Sequence, residues 1–259
     1  MIRISRHAQV IATTFAGLIA FQSLSCTTAS AQSQEATQAP RSGFTLELKQ
    51  GQVLQLVVPE ESEEGSAARQ TYYQNAFPIA ERLGYQNEGM LTVRQKVRSD
   101  YDPNVFVFFS WPDAEAVRGY RSNPRFAEFK ELRREAWREL KIYDAEIRDD
   151  LKLTFDPAKH YSALFAWLDP ETRSDYTSYL EGIEPAVTRA GGRFIYKMYD
   201  PYMQALNEPS DGPGQITFVE WETEDGFAKV QQSPEYREHQ SQFASSVQKF
   251  EFYWLQTRR

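Results

Sequence analysis

The feature that most constrains this chain is an internal repeat with a spacing of 110 residues. Trp111 and Trp221 are each followed thirteen residues later by a proline, Pro124 and Pro234, and two residues further on by a ring, Phe126 and Tyr236. Reading backwards, "FVFF" (106–109) aligns without gaps on "ITFV" (216–219), and "PIAERLG" (78–84) falls on "PAVTRAG" (185–191). The interval from this proline to the tryptophan is 33 residues in the first copy and 36 in the second. The three extra residues fit in the turn-rich stretch "NEPSDGPGQ" (207–215), where a loop tolerates a change of length. Agreement at several spacings at once means duplication, so whatever one copy folds into the other must fold into too.

Each copy can be read by period. Residues 53–58 and 161–168 are apolar, β-branched or aromatic runs that predict first strands. In the second copy Asp169 is the expected N-cap, with Pro170 in the first turn of a helix running towards Arg189 and kinked at Pro185. Gly191 and Gly192 end it. "RFIYKMY" and "QITFVEW" predict two strands, and a short helix follows with Thr223 as its cap. A further helical piece starts at Ser233-Pro234, and "KFEFYWLQ" closes as a strand. The first copy gives the same series, ending over 140–147. The order β-α-β-β-α-β, twice, predicts two ferredoxin-like α+β repeats over 51–150 and 157–259, each a four-stranded antiparallel sheet with helices on one face. Their open faces are too aromatic to leave wet: Phe106 and Phe108 alternate in one strand, and Phe250, Phe252 and Trp254 in another. Two sheets packed face to face inside one chain, a monomer with an internal pseudo-dimer, bury those rings at roughly 1.5–3 kcal/mol each.

The ends and the charge limit the setting. Residues 1–31 have Arg3 and Arg6, then an apolar run over 10–21, then Ala29-Ser30-Ala31: the layout of a secretory signal peptide, with no transmembrane helix left after processing. Export to the periplasm or beyond is expected, with lipid attachment at Cys26 a less favoured alternative. Cys26 is the only cysteine, so the exported domain has no disulfide. Residues 32–50 read as a flexible leader. Removing two arginines and no acid takes the net charge from −7 to −9, which argues against nucleic acid as a partner.

"DYTSYLEGIEPAVTRAGGRF" followed by "ITFVEW" and "SPEYREH" resembles the bacterial domain of unknown function numbered thirteen-thirty, within the dimeric α+β barrel superfamily. That superfamily also includes antibiotic-biosynthesis monooxygenases and chlorite-dismutase-like haem proteins. The resemblance covers residues 161–255 well and 53–147 more faintly. It implies the fold, and no one activity. The family pattern has an arginine seven residues after the Ser-Pro-Glu-Tyr ring. That place is Arg133 in the first copy and Phe243 in the second, whereas the Gly-Gly-Arg turn at Gly191 to Arg193 has Gln86 as its first-copy counterpart.

Four residues are candidates for ligand binding: Arg193, Glu220, His239 and Arg133. Arg193 and Glu220 begin and end adjoining strands, as an anion-binding arginine held by its carboxylate or as an ordinary cross-strand ion pair. Their first-copy counterparts are Gln86 and Ser110, so the second half is the one expected to hold a site. His239, three residues after Tyr236 on a helix, is a candidate base. It has no ligand-spaced His or Cys partner, so no metal is expected, and no cofactor is called for. A haem would need His239 or His160 as its axial ligand. No G-x-S-x-G elbow, P-loop or H-E-x-x-H occurs. Three functions stay open: an exported small-molecule-binding domain, a cofactor-independent oxygenase or isomerase, and an interaction protein without a pocket.

Overall fold

The computed structural model describes residues 42–206 and 211–258. The signal segment, Cys26 and most of the leader lie outside the described residues. The first repeat runs β2 (Val53–Glu61), α1 (Ser66–Arg82), β3 (Gln86–Arg98), β4 (Val105–Trp111), α2 (Ala114–Arg121), α3 (Phe126–Ala136) and β5 (Trp137–Glu146). The second runs β7 (His160–Leu168), α4 (Arg173–Arg189), β8 (Gly192–Tyr199), β9 (Tyr202–Gln204), β10 (Gln215–Trp221), α5 (Gly226–Gln231), α6 (Pro234–Ser246) and β11 (Val247–Thr257). Outside both repeats, β1 (Phe44–Leu48) pairs antiparallel with β6 (Leu151–Phe155).

The strand order is β8-β10-β7-β11-β3-β4-β2-β5-β9, antiparallel throughout. Since β9 continues the chain from β8 through Asp200 and Pro201, the sheet closes on itself and has two seams between the halves. At one, the end of β3 pairs with β11 (Leu91↔Thr257); at the other, β9 pairs with β5 (Ile142↔Gln204). The result is the α+β barrel with an internal pseudo-dimer. Closure removes the free edges that would otherwise template pairing with another chain.

The barrel interior is one cluster drawn from both halves, in which Phe106 and Phe108 meet Phe165, Phe218 and Tyr253. Only one of the two expected aromatic sets points inward. In β11 it is Tyr253 and Leu255 that enter the interior, while Phe252 and Trp254 turn to the helices of their own half and Phe250 packs on Phe243 of α6. Parity is set by the neighbouring ladder, Tyr253 facing Ala163 and Leu255 facing Tyr161, and a strand with rings on both faces does not declare its inside.

Other expectations need correction. The leader stops short of Phe44, because Leu46 and Leu48 are buried in the interior cluster and the Phe44 ring stacks on Phe155. That ring also occupies the place where a Cβ at Gly89 would sit, 2.3 Å from the added atom, at a positive φ of 142°. Asp169 does not cap α4: its carboxylate accepts from Glu171 N at 2.9 Å, stabilising a turn, and the helix starts after Thr172. Asp225 replaces Thr223 at the start of α5, while Ser233 caps α6 as expected, accepting from Tyr236 N at 3.1 Å.

Candidate functional site

Alternation along the first-half strands creates the site. Leu54, Leu56 and Val58 of β2 face the barrel interior, so Gln55, Val57, Pro59 and Glu61 face the helices. Between this outer face and α1, α2 and α3 lies a cavity of about 350 Å³. One row of paired residues forms its floor: Met90 opposite Val107, Val107 opposite Val57, Val57 opposite Ile142, and Ile142 opposite Gln204. From β3 to β5 this row crosses three strand spacings, about 14 Å. The second half contributes to both rims, Gln204 at the β5 edge and Arg258 at the β3 edge.

The roof brings polar groups into an aromatic setting. Arg133, on the inward face of α3, is only 6% exposed. Its Nε and Nη2 donate to the Tyr72 hydroxyl at 3.0 and 2.8 Å, and the guanidinium lies 5.3 Å from the Tyr72 ring and 5.6 Å from the Phe126 ring. No carboxylate comes within 4.0 Å of it among the described residues. Two donors occupy the lone pairs of Tyr72, so that hydroxyl has only its proton left to offer. Tyr120 lies beside the pair, and burial pushes its phenol well up, as it does that of Tyr85; both stay neutral.

A second polar chain runs along the floor. Tyr85 donates to Gln55 Oε1 at 2.7 Å, Gln55 Nε2 donates to Asp144 Oδ1 at 2.6 Å, and Arg121 pairs with the other oxygen of Asp144. Burial pushes the Asp144 carboxyl above its usual range, against Arg121 and Gln55, which act to hold it down. The Arg121 guanidinium also lies 4.8 Å from the ring of Tyr202, a β9 residue that is 60% exposed. In the second half Trp221 donates to Ser162 at 2.9 Å, whereas the indole N–H groups of Trp111 and Trp137, both in the cavity wall, are buried without a partner.

The same space in the second half is nearly filled. Phe243 stands where Arg133 does and packs 5.0 Å from Tyr179 and 5.3 Å from Phe250, leaving a void of about 40 Å³. The structure therefore separates the candidates. Arg133 lies in the cavity of the first half. Arg193 and Glu220 are paired at 3.0 Å directly across β8 and β10, with Arg193 69% exposed, and line neither void. Such a pair contributes little. The His239 ring packs where a Cβ at Gly182 would sit, and its Nδ1 is 2.9 Å from Gln242 Oε1; it serves the α4–α6 contact. His160 lies 3.7 Å from Glu224. Neither histidine lines a void, so neither is placed as the axial ligand of a haem there, and no three His, Cys, Asp or Glu among the described residues gather as a metal site. Tyr72, Gln55, Arg121 and Asp144 escaped sequence reading. The one available signal was Gln55, a polar residue within an apolar strand.

The fold is that of the dimeric α+β barrel, with both subunits' worth of sheet in one chain. A solved anthrone oxidase-like protein superposes with a TM-score of 0.51 at 12% identity, over 83% of this chain and 96% of its own. A candidate monooxygenase of Fusobacterium nucleatum gives 0.46 at 10%, over 82% and 94%, and a chlorite dismutase variant of Candidatus Nitrospira defluvii gives 0.42 at 10%, over 81% and 92%. At 12% identity the likeness to the anthrone oxidase-like protein extends to the fold alone. No protein-family profile matches the chain, and no curated protein matches it in sequence. No helix among the described residues is long and apolar enough to cross a membrane.

Proposed function

We propose that the protein is exported by residues 1–31 and acts as a monomer that binds a small aromatic acid in the cavity of its first half. The observation that carries this is Arg133. A buried guanidinium without a carboxylate is costly, and removing a charge from water is repaid only by a partner of opposite sign in good geometry. Tyr72 accepts from two of the guanidinium N–H groups, the Tyr120 phenol lies beside them, and the rings of Tyr72 and Phe126 attract the guanidinium, but all of these are neutral and leave its charge to be met by an oxyanion. Around it Tyr85, Phe109, Trp111 and Trp137 suit a flat apolar body.

A second reading, cofactor-independent oxidation of the bound molecule, is favoured by the Arg133–Tyr72 pair. Donors fixed in a dry site stabilise negative charge developing on a substrate oxygen. It is also compatible with the name of the anthrone oxidase-like neighbour.

Native mass spectrometry of protein purified from its own compartment tests the binding reading. Wild type should carry a small acidic molecule that R133M lacks. An adduct retained by R133M, or a bound molecule with no acidic group, counts against it. Oxygen consumption when that molecule is supplied in excess separates turnover from binding alone.

A further inference from the structure

The cavity rim carries a second guanidinium. Thr257 pairs with Leu91 on β3, which brings the next residue, Arg258, to the β3 edge of the floor, where its Nη1 lies 3.7 Å from the sulfur of Met90. Arg258 is exposed and has no carboxylate within 4.0 Å among the described residues. The other charges at the cavity are accounted for: Arg121 by Asp144, and Glu61, the one lining acid, by Arg69 at 3.8 Å. Two cations with no carboxylate partner among the described residues therefore share one cavity in a chain whose net charge is −7. They differ in setting. Arg133 hangs from the helix roof among aromatic rings, and Arg258 stands in water at one edge. The apolar floor of Val107 and Val57 lies beyond Met90.

We propose that the ligand is two-headed: an apolar aromatic body with one acidic group seated on Arg133 and a second, at its far end, on Arg258. This rests on the reading that the cavity binds an aromatic acid, and makes Arg258 a specificity-determining residue supplied by the second half. The contact is made at a wet rim, so it discriminates between ligands more than it holds them.

Calorimetric titration with a matched pair of probes, biphenyl-4-carboxylate and biphenyl-4,4′-dicarboxylate, tests it. In wild type the dicarboxylate should bind about three- to tenfold more tightly, because one exposed ion pair contributes about 1.5- to fivefold and its two equivalent carboxylates add a statistical factor of about two. In R258A the ratio of the two affinities should fall to about two, the statistical factor alone, and in wild type added salt should reduce it towards that value. A wild-type ratio of about two or less, or a ratio unchanged in R258A, overturns the proposal while leaving monoacid binding intact. Failure of both probes to bind overturns the binding reading itself, and this proposal with it.

Discussion

Arg133 and Phe243 occupy one position in two copies of the same unit, and that single difference decides which copy is hollow. Phenylalanine fills the space against Tyr179; arginine turns to Tyr72 and leaves room beside it. Sequence pointed to Arg133 by a resemblance alone and gave more weight to Arg193 and Glu220, because spacing reveals a charge pair but not whether water surrounds it. Asp144 illustrates the opposite limit. Its role follows from burial beside Gln55 and Arg121, contacts 89 and 23 residues away in the chain. Its folded carboxyl titrates above the unfolded one, so the ionised form weighs against the native state. That burden is absent below the ordinary Asp value of 3.8 and grows as pH rises through the raised folded value. Wild type should therefore gain stability relative to D144N as pH falls from about 7 to about 4.5, measured by urea unfolding of both proteins. A difference that stays flat, or moves the other way, contradicts the burial assigned to Asp144.

Among the elements, the two β-α-β-β-α-β series were legible because period and repeat reinforced each other. The pieces that escaped were short and owe their structure to partners far away: β1 and β6 to each other, and β9 to β5. Three residues of strand carry no period of their own. β4 and β10 meet across the barrel through Phe108 and Phe218, ring centroids 5.7 Å apart, with Phe155 of β6 5.3 Å from Phe108. F108A empties a site shared by both halves and the β1–β6 ribbon. It should cost about 3–5 kcal/mol, read from the urea midpoint. Far-UV and near-UV signals should still fall together, since one interior serves both repeats. Separate transitions for the two halves would contradict a common core.

At the scale of the whole molecule, an internal pseudo-dimer lets the two halves differ. The second repeat gives up its own cavity, closes both seams, and places Gln204 and Arg258 on the rims of the first. A symmetric pair of identical subunits would have two equal cavities; here the first half encloses about 350 Å³ and the matching space in the second about 40 Å³. The most direct check is a crystal structure of the full protein soaked with biphenyl-4-carboxylate. The expected result is one bound molecule, its carboxylate on Arg133 and its rings between Phe109 and the α1–α3 roof. Binding in the second half, or at Arg193 and Glu220 with the first-half cavity empty, would contradict the assignment.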